Sequence, residues 1–553
     1  MTANSHATAP NLETCERLSR CVRLGREHFV SGRTAEAAAT YRGGLAVAAQ
    51  EPDGSISVEI LSDLHANLAN ALMVAGDLLA ASDNYKAALR LVPGLTGCWC
   101  NLGNVHLKTG RAQDAIALYL QALKFDAGHW PTRTNLVQAL VATRQHLVAK
   151  ALLLELLGER PGDGPLHHEL GKVCFELKET DQSIRHFEAA FAANPSDAES
   201  LYWIGAIRQA LGDDTAAQLA YARAAQIQPL IRRPAAKSPA DFRVLALYAP
   251  FAGNTPSSFL FKDTDFETDT LALLPSGAPR VTFAKEDIDL VVNLISDADQ
   301  AADVLPLAAD LGARLSKRTV NEPAKIMRTT RDAVADLLLG MPGCRIPKVQ
   351  RLKAGTDCSV AAREAALLFP FPLLARPCGT HGGDDFEKVA DGTALAAFLA
   401  QRPDHDHYLI EYVDYRSADG YFRKYRFIFV GDQVLPYHLA VGRDWKLHHD
   451  STDMEDHVWM QREEAAFLEN SATAFNIAHR AALHAIRERI GLDFFGIDCG
   501  VDGAGNLVVF EVNASMLVHE GNEKFPYKDP FVQKIRVAFH DMLRTLAKQS
   551  SVR

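Results

Sequence analysis

A 34-residue period runs through the first part of this 553-residue chain and constrains its fold more than any other feature. Pairs such as Leu-Gly, Leu-Ala or Ile-Gly recur in phase five times, at Leu68-Ala69, Leu102-Gly103, Leu136-Val137, Leu170-Gly171 and Ile204-Gly205. A large apolar residue follows 16 positions after each pair, at Tyr85, Tyr119, Leu153, Phe187 and Tyr221. A unit this short cannot bury its own core, so successive copies must stack on each other.

This pattern resembles the tetratricopeptide repeat, a unit of two antiparallel helices. An earlier unit with Leu24-Gly25, Ala37 and Tyr41 fits the same template. The small residues let the two helices cross closely, and the aromatic residue fills the seam to the next unit. The resemblance implies an all-α superhelix of about six repeats over residues 15–230, after a flexible N-terminus at 1–14. Its concave groove would bind a peptide or protein.

Asparagines occupy one position of successive first helices, at Asn67, Asn101 and Asn135. An amide both donates and accepts hydrogen bonds, so such a row could hold an extended peptide without reading its sequence. The row resembles the asparagine ladder of the O-linked N-acetylglucosamine transferase. Asparagine is also common at this position of the repeat, so a purely structural role stays open. Glu169 and Trp203 end the row.

The composition of the chain limits which class of partner it can bind and in which cellular compartment we expect it. The net charge of −10 and the pI of about 6.1 argue against nucleic acid or an anionic membrane as the main partner. The chain contains no run of 18 apolar residues, so we expect no membrane-spanning helix, and its N-terminus has no apolar signal segment. Nine cysteines without a CxxC pair favour reduced thiols and argue against structural zinc. We therefore expect a cytoplasmic protein.

The pattern changes after residue 230. Residues 231–242 carry three prolines and no periodicity, which predicts a linker. Short apolar runs then alternate with helical stretches, which predicts a mixed α/β or α+β region. The predicted strands are 244–249, 290–295, 373–377, 408–413, 425–431 and a hairpin within 495–515. The predicted helices are 331–340, 391–401, 472–490 and 530–547.

The hairpin FGIDCGVDGAGNLVVFEVNAS carries three oxygen ligands. Asp498 lies near the end of its first apolar run, and Glu511 and Asn513 lie near the end of the second. Side chains alternate faces along a strand, so Glu511 and Asn513 point the same way. Two carboxylates and an amide oxygen suit Mg²⁺ that also binds substrate phosphates. The hairpin therefore predicts a magnesium site.

Three further segments precede the hairpin in order. Arg376 ends an apolar strand and is followed by a loop with Gly379, Gly382 and Gly383, which suits phosphate binding or is simply a turn. Glu411 interrupts an apolar strand and needs a partner, such as an adenine amino group, unless it faces water at a sheet edge. Lys424 and Arg426 share one face of a strand, where they could hold phosphate or be solvated.

Together these segments resemble the ATP-grasp superfamily over residues 243–550, in the branch of glutathione synthetase and the ribosomal-protein glutamate ligases. RFIFVGDQV and GID…FEVNAS carry the likeness to that branch. The resemblance implies a Rossmann-like domain at 243–330, an α+β ATP-grasp fold at 331–550, and ATP with one or two Mg²⁺. It implies an ADP-forming carboxylate–amine ligase with an acyl-phosphate intermediate and a small amine or carboxylate co-substrate.

The roles implied by the resemblance fall into four sets. The nucleotide would be held by Arg331, Arg376, Gly379, Gly382, Gly383, Glu411 and the backbone of Tyr412 and Val413. Arg426 and Lys424 would act on the transferring phosphate. Asp498, Glu511 and Asn513 would coordinate Mg²⁺, and Ser515 would lie near the acceptor substrate, while Asn67, Asn101 and Asn135 would contact the recruited peptide.

The chain also departs from the family pattern. Both expected phosphate-binding lysines are arginines, and Arg328 competes with Arg331 for one of the two positions. The Pro-Gly turn that often follows the asparagine is replaced by ASMLVHEGN, which predicts a different acceptor pocket. A general base among His438, His448, His449, His457 and His519 is conceivable. A scaffold with a degenerate ATP-grasp domain, or an ATP-grasp kinase, are the alternatives to a ligase.

Overall fold

A computed structural model of the protein describes residues 12–52, 54–251, 253–275, 287–380, 385–447, 452 and 454–551. The chain divides into two compact units, Met1–Ile207 and Arg208–Arg553. The predicted flexible N-terminus lies almost wholly outside the described residues, and the first helix begins at Leu12, three residues before the predicted start.

Helices follow the 34-residue period. Within residues 12–52 and 54–227 the structure contains twelve helices. They are α1 (Leu12–Val30), α2 (Thr34–Ala48), α3 (Val58–Val74), α4 (Leu78–Leu91), α5 (Thr96–Lys108), α6 (Ala112–Phe125), α7 (Trp130–Ala142), α8 (His146–Glu159), α9 (Gly164–Glu176), α10 (Thr180–Ala193), α11 (Ala198–Ala210) and α12 (Asp214–Ile227).

The repeat pattern reflects close contact between a glycine of the first helix of a repeat and an aromatic ring of the second helix. The ring of Tyr119 lies directly against Gly103, where an added Cβ would come within 2.5 Å of it. Gly171 is related to Phe187, and Gly25 to Tyr41, in the same way. These aromatic side chains are at most 1% exposed. The small residue is therefore required because the ring of the second helix occupies the space of its side chain.

The region after α12 is a mixed α/β structure. Its strands are β1 (Leu230–Arg233), β2 (Arg243–Tyr248), β3 (Glu267–Ala272), β4 (Leu290–Asn293), β5 (Thr319–Val320), β6 (Cys344–Arg345), β7 (Val349–Leu352), β8 (Leu373–Pro377), β9 (Glu387–Val389), β10 (His407–Glu411), β11 (Phe422–Val430), β12 (Gln433–Gly442), β13 (Phe494–Val501) and β14 (Leu507–Asn513). Its helices are α13 (Leu305–Leu315), α14 (Pro323–Ile326), α15 (Arg331–Leu338), α16 (Cys358–Leu368), α17 (Gly392–Ala400), α18 (Val458–Glu469), α19 (Ile477–Ile490) and α20 (Asp529–Ser551).

These strands form three sheets within the described residues. The first has the order β1-β3-β2-β4-β5 and is parallel except for β1. The second, β7-β10-β8-β9, is antiparallel and packs the paired helices α16 and α17 through an apolar core. The third, β12-β11-β13-β14-β6, is antiparallel except for the short edge strand β6.

Several predicted boundaries differ from the structure; for example, the helix predicted at 472–490 begins at Ile477. Residues 231–233 of the predicted linker belong to β1, which pairs with β3 although three of its four residues are exposed. Edge pairing through the backbone explains a strand there, because it requires no apolar pattern. β10 ends at Glu411 rather than at 413, so Tyr412 and Val413 follow the strand. β8 has the predicted bounds, 373–377.

Candidate functional site

A cavity of about 540 Å³ is lined by residues from both the second and the third sheet. Leu374 and Arg376 of β8 and Ile410 of β10 contribute from the second sheet. The third sheet contributes Lys424, Arg426, Asp498, Glu511 and Asn513. Ser515 follows β14, and Arg331 comes from the start of α15. Apart from Gly379, Gly382, Gly383 and the asparagines of the repeats, all of the predicted site residues line this cavity.

Strand register aligns three of the charged residues. Arg426 of β11 is directly opposite Asp498 of β13, and Asp498 is directly opposite Glu511 of β14. Opposite residues point to the same face of a sheet, so the three side chains form a row across it. Val512, which points to the other face, is buried in the core, as the alternation predicts.

Asp498 is held by two cations. The Arg426 guanidinium binds both of its oxygens, at 2.6 and 2.9 Å, and Lys424 Nζ lies 3.3 Å from Oδ2. Burial raises the pKa of Asp498, but the charges of Arg426 and Lys424 outweigh it and leave that pKa well below its usual value. Lys424 and Arg426 share one face of β11, as predicted, and Phe427 and Phe429 on the other face lie in the core.

Glu511 is paired with a residue that lies 180 positions earlier. Arg331 Nη2 donates to Glu511 Oε1 at 2.6 Å, and Asn513 Nδ2 lies 3.3 Å from the same oxygen. Burial raises the pKa of Glu511, but the charges of Arg331, Arg376 and Arg426 together outweigh it, so the pKa lies below its ordinary value. Asn513 Oδ1 accepts from the backbone N–H of Ser515 at 2.7 Å and is 2.5 Å from its Oγ.

Arg376 lies at the start of the glycine loop. Its guanidinium donates to the Thr380 hydroxyl at 3.0 Å and to the Thr380 carbonyl, and it stacks over Phe386. Burial, with the nearby charge of Arg331, lowers the pKa of Arg376 to about 10. Gly379 has a φ of +72°, a backbone conformation that favours glycine, while Gly382 and Gly383 lie outside the described residues.

Glu411 is at the cavity wall, but its carboxylate already has partners. Arg345 Nη2 donates to Oε1 at 3.2 Å, and the backbone N–H of Lys348 donates to Oε2 at 3.1 Å. The adjacent Tyr412 and Val413 also line the cavity, and Lys388 lies over the Tyr412 ring at 3.9 Å. The predicted contact of this segment with adenine stays a prediction.

The aromatic part of the cavity lining does not follow from the sequence patterns. It includes Phe386, Tyr415, Trp445 and Phe510, and the rings of Tyr415 and Phe510 are 4.6 Å apart. Phe510 is directed there by a bulge, since Asp498 pairs with Glu511 while Cys499 pairs with Val509. Trp445 lies in a loop with the sequence RDWKL, and an aromatic residue among charged loop residues was the available signal.

The proposed metal ligands offer two carboxylates and one amide. Among the residues that the structure describes, no group of three or more His, Cys, Asp or Glu side chains is placed to hold a metal ion. One or two carboxylates completed by phosphate oxygens are an ordinary set for Mg²⁺. Asp498 and Glu511, opposite each other on neighbouring strands, fit that chemistry if their arginine contacts loosen when the ion binds.

The asparagines of the repeats bind one another. Asn101 Nδ2 donates to Asn70 Oδ1 at 3.0 Å, and Asn135 Nδ2 donates to Asn104 Oδ1 at 2.8 Å. Asn104 Nδ2 in turn lies 3.4 Å from Asn101 Oδ1. Asn67 is separate, since its amide donates to the Asp63 carbonyl. A role in peptide binding stays a prediction.

Comparison with known proteins identifies the repeats. The family model for the tetratricopeptide repeat matches residues 66–129 and 169–230, so the N-terminal part of the chain consists of tetratricopeptide repeats. Repeats of this kind bind peptides or proteins. No curated protein matches the chain at a significant level.

Solved repeat proteins resemble only a part of the chain. MamA from Desulfovibrio magneticus RS-1 is 16% identical, with a TM-score of 0.30, over 31% of this chain and 97% of its own. YrrB, described as a TPR protein with an unusual peptide-binding site, is 22% identical, with a TM-score of 0.28, over 30% and 86%. PilF of Pseudomonas aeruginosa is 17% identical, with a TM-score of 0.33, over 39% and 94%.

Within the described part of the chain, every helix is too short or too polar to cross a bilayer.

Proposed function

We propose that residues 243–550 form an ATP-dependent carboxylate–amine ligase of the ATP-grasp type. The observation that carries the proposal is the content of one cavity. Four cationic side chains and two carboxylates line it, together with a set of aromatic and aliphatic side chains. The cations are Arg331, Arg376, Lys424 and Arg426, and the carboxylates are Asp498 and Glu511.

The cavity suits a nucleoside triphosphate in size and polarity. A planar base fits the apolar part beside Leu374, Ile410 and Phe510, and the backbone after Glu411 supplies polar groups for its edge. The cations of the cavity lining outnumber its carboxylates by two, which favours a polyanion. Asp498, Glu511 and Asn513 would hold Mg²⁺, which neutralises phosphate charge when it is bound.

The protein groups suit phosphate transfer to a carboxylate. A substrate carboxylate oxygen attacks the terminal phosphorus, the bond to the bridging oxygen breaks, and ADP leaves. Arg426 is oriented by Asp498 and so is placed to stabilise charge on the transferring phosphate. Arg376, held by Thr380, neutralises charge on the phosphates that leave. An amine then attacks the carbonyl carbon of the acyl-phosphate. The bond from that carbon to the phosphate oxygen breaks, and inorganic phosphate and a proton are released as the amide forms.

The repeats would recruit the substrate. Their asparagine row offers amide groups to an extended backbone, and the similar protein YrrB is described as having a peptide-binding site. We therefore propose that a peptide or protein supplies either the carboxylate or the amine of the reaction.

ADP release tests the proposal. The full-length protein is given Mg-ATP, the twenty amino acids as carboxylates, and hydroxylamine, which traps an acyl-phosphate as a hydroxamate. Wild type should release ADP and form hydroxamate in equal amounts, and Asp498→Asn and Glu511→Gln should lose both. Arg314→Ala removes an exposed ion pair of α13 and should change neither. Turnover that survives both substitutions would refute the ligase.

One observation favours a second function, that of a scaffold that does not turn over ATP. Each carboxylate is already paired with arginine, Asp498 with Arg426 and Glu511 with Arg331. If these pairs persist, both oxygens of Asp498 and Oε1 of Glu511 stay engaged, which opposes metal binding. Absence of ADP release and of nucleotide binding supports the scaffold, whereas a stable phosphorylated product without hydroxamate identifies a kinase.

A further inference from the structure

One part of the cavity lining takes no part in the proposed steps. It comes from the loop after β2 and from the chain after β14, and we call it the uncharged wall. The uncharged wall consists of Gly253, Asn254, Ser515, Met516 and Leu517. Within the part of the chain that the structure describes, it contains no ionisable side chain. The residues proposed to contact the base belong to other elements, namely β8, β10 and β14.

Hydrogen bonds join the uncharged wall to the charged row of Arg426, Asp498 and Glu511. Asn513 Oδ1 accepts from the backbone N–H of Ser515 at 2.7 Å. On its other side, Asn513 Nδ2 lies 3.3 Å from Glu511 Oε1. A molecule held against the uncharged wall therefore lies beside the groups that are proposed to hold Mg²⁺ and the transferring phosphate.

The topology of the first sheet favours a small molecule at this wall. The strand order reverses at β2, which has β3 on one side and β4 on the other, all parallel. In open parallel sheets, ligands bind outside the carboxyl ends of the strands where the order reverses. Gly253 and Asn254 follow the carboxyl end of β2. Thr255 Oγ1 donates to the Ala514 carbonyl at 2.8 Å, which fixes this loop to the chain after β14.

Leu517 presents apolar surface to the cavity. Its neighbours Met516 and Val518 are only 5% and 1% exposed, whereas Leu517 is 48% exposed. Met516 packs on Gly496, where an added Cβ would come within 2.3 Å of its sulfur. Because both neighbours are held in the core, Leu517 is fixed with about half of its surface uncovered.

The polar side chains of the uncharged wall are engaged within the protein. Asn254 Nδ2 donates to the Ala249 carbonyl at 2.8 Å, and Asn254 Oδ1 accepts from the Ala249 N–H at 3.1 Å. Ser515 Oγ lies 2.5 Å from Asn513 Oδ1. A charged ligand group at this wall would lose water without gaining an ionic partner, which costs free energy. An apolar group would gain by covering Leu517.

We propose that the ligase acts on carboxylates with an uncharged, aliphatic side chain, and that this side chain packs against Leu517. The proposal rests on the proposed ligase function. The substrate carboxylate lies beside the charged row, next to the phosphate that it attacks, and its side chain lies on the uncharged wall. Leu517 determines specificity by touching the substrate and takes no part in bond making.

Two substrates of one shape test the apolar contact. Leucine and asparagine have side chains of the same branched outline but of opposite polarity. Each is given to the full-length protein with Mg-ATP and hydroxylamine, both free and as the C-terminal residue of an alanyl dipeptide. In kcat/KM for hydroxamate formation, the leucine form should exceed the asparagine form at least about tenfold, the low end of what a hydrophobic pocket discriminates.

Variants of one residue then place the contact. Leu517→Asn should bring the leucine-to-asparagine ratio close to one. Leu517→Asp should raise lysine relative to leucine about tenfold, because the new carboxylate gives the lysine ammonium a partner. A merely structural role of Leu517 would lower all substrates equally and leave these ratios unchanged. Leu367→Asn alters a side chain of α16 that is 86% exposed and should not change either ratio.

Each outcome decides the matter. No hydroxamate from wild type with any of the twenty amino acids or their alanyl dipeptides overturns the ligase, and this proposal with it. Hydroxamate formed from asparagine or a charged amino acid as efficiently as from leucine overturns the aliphatic specificity alone, and this comparison needs no variant. A leucine preference that persists in Leu517→Asn, or a raised KM for ATP with an unchanged ratio, overturns the placement at Leu517.

Discussion

Two rows of polar side chains in this molecule differ in how their hydrogen bonds and charges are balanced. In the repeats, Asn70, Asn101, Asn104 and Asn135 bind each other, and no charge is left over. In the lining of the cavity, three carboxylates face five cations, so two positive charges remain unbalanced. A neutral chain of amides is complete without a ligand, whereas an excess of buried charge is costly unless an anion binds. We therefore propose that the charged row belongs to the reactive site and that the amide row is a structural or recruiting surface.

The sharpest test of this contrast removes one charge from the cavity. Arg426→Ala should lower ADP release about 1000-fold, because it deletes a preorganised group at the transferring phosphate. It leaves buried Asp498 with Lys424 alone and should also lower the free energy of unfolding. Arg426→Lys restores the charge without the two-point contact and should recover only part of the rate. Unchanged ADP release by Arg426→Ala would show that the charged row takes no part in the reaction.

A substitution that leaves a cavity in the repeats should lower stability without changing nucleotide binding. Tyr119 is fully buried against Gly103, so Tyr119→Ala should lower the free energy of unfolding by about 4 kcal/mol. Binding of Mg-ATP should not change, because each repeat contacts only its neighbours. Leu120→Ala, at an exposed neighbouring position, should cost less than about 0.5 kcal/mol. Denaturant titration measures the unfolding free energies of both variants. Loss of nucleotide binding in Tyr119→Ala would contradict the proposed separation of the repeats from the cavity.

The buried carboxylate behind the charged row should make stability depend on pH. Burial raises the pKa of Glu464, but the hydrogen bond from His438 and the charge of Lys528 outweigh it and lower the pKa to about 2. The folded pKa is below the unfolded value, so this stability is complete above pH ~4.5 and is lost as the pH falls toward 2. The loss should be roughly 3 kcal/mol at full protonation. In Glu464→Gln, the unfolding free energy should fall less steeply over this window, and an unchanged slope would contradict the buried ion pair.

The amide row should show the smallest effect. Asn101→Ala breaks the bond to Asn70 and the contact with Asn104, and it should cost ~1 kcal/mol of unfolding free energy. Asn67→Ala, outside the row, should cost only a few tenths of a kcal/mol. If the row also holds a peptide backbone, Asn101→Ala should weaken capture of the recruited partner. A larger loss of stability from Asn67 than from Asn101 would show that the row is not continuous.

The same contrast explains what the sequence could predict. Repeat contacts lie at fixed separations, so Gly103 and Tyr119 could be paired from the period alone. β8 was predicted to the residue because an apolar run between turn signals has few alternatives. β1 was missed because its basic residues pair through the backbone at a sheet edge.

In the candidate site, alternation within one strand predicted which residues share a face, but not their partners. Arg331 reaches Glu511 across 180 positions, and Arg345 reaches Glu411 across 66. Such pairs follow from the arrangement of the sheets, which no local pattern encodes. Phe510 depends on a bulge that shifts the register by one residue, and the pattern of apolar residues shows no sign of it.

Calorimetric titration with a non-hydrolysable ATP analogue and Mg²⁺ tests the central claim most directly. The account predicts one site per chain, which Arg376→Ala abolishes or weakens by at least tenfold, while Arg314→Ala leaves it intact. Absence of binding to wild type, or equal affinity in Arg376→Ala, would contradict the assignment of the charged cavity to a nucleotide.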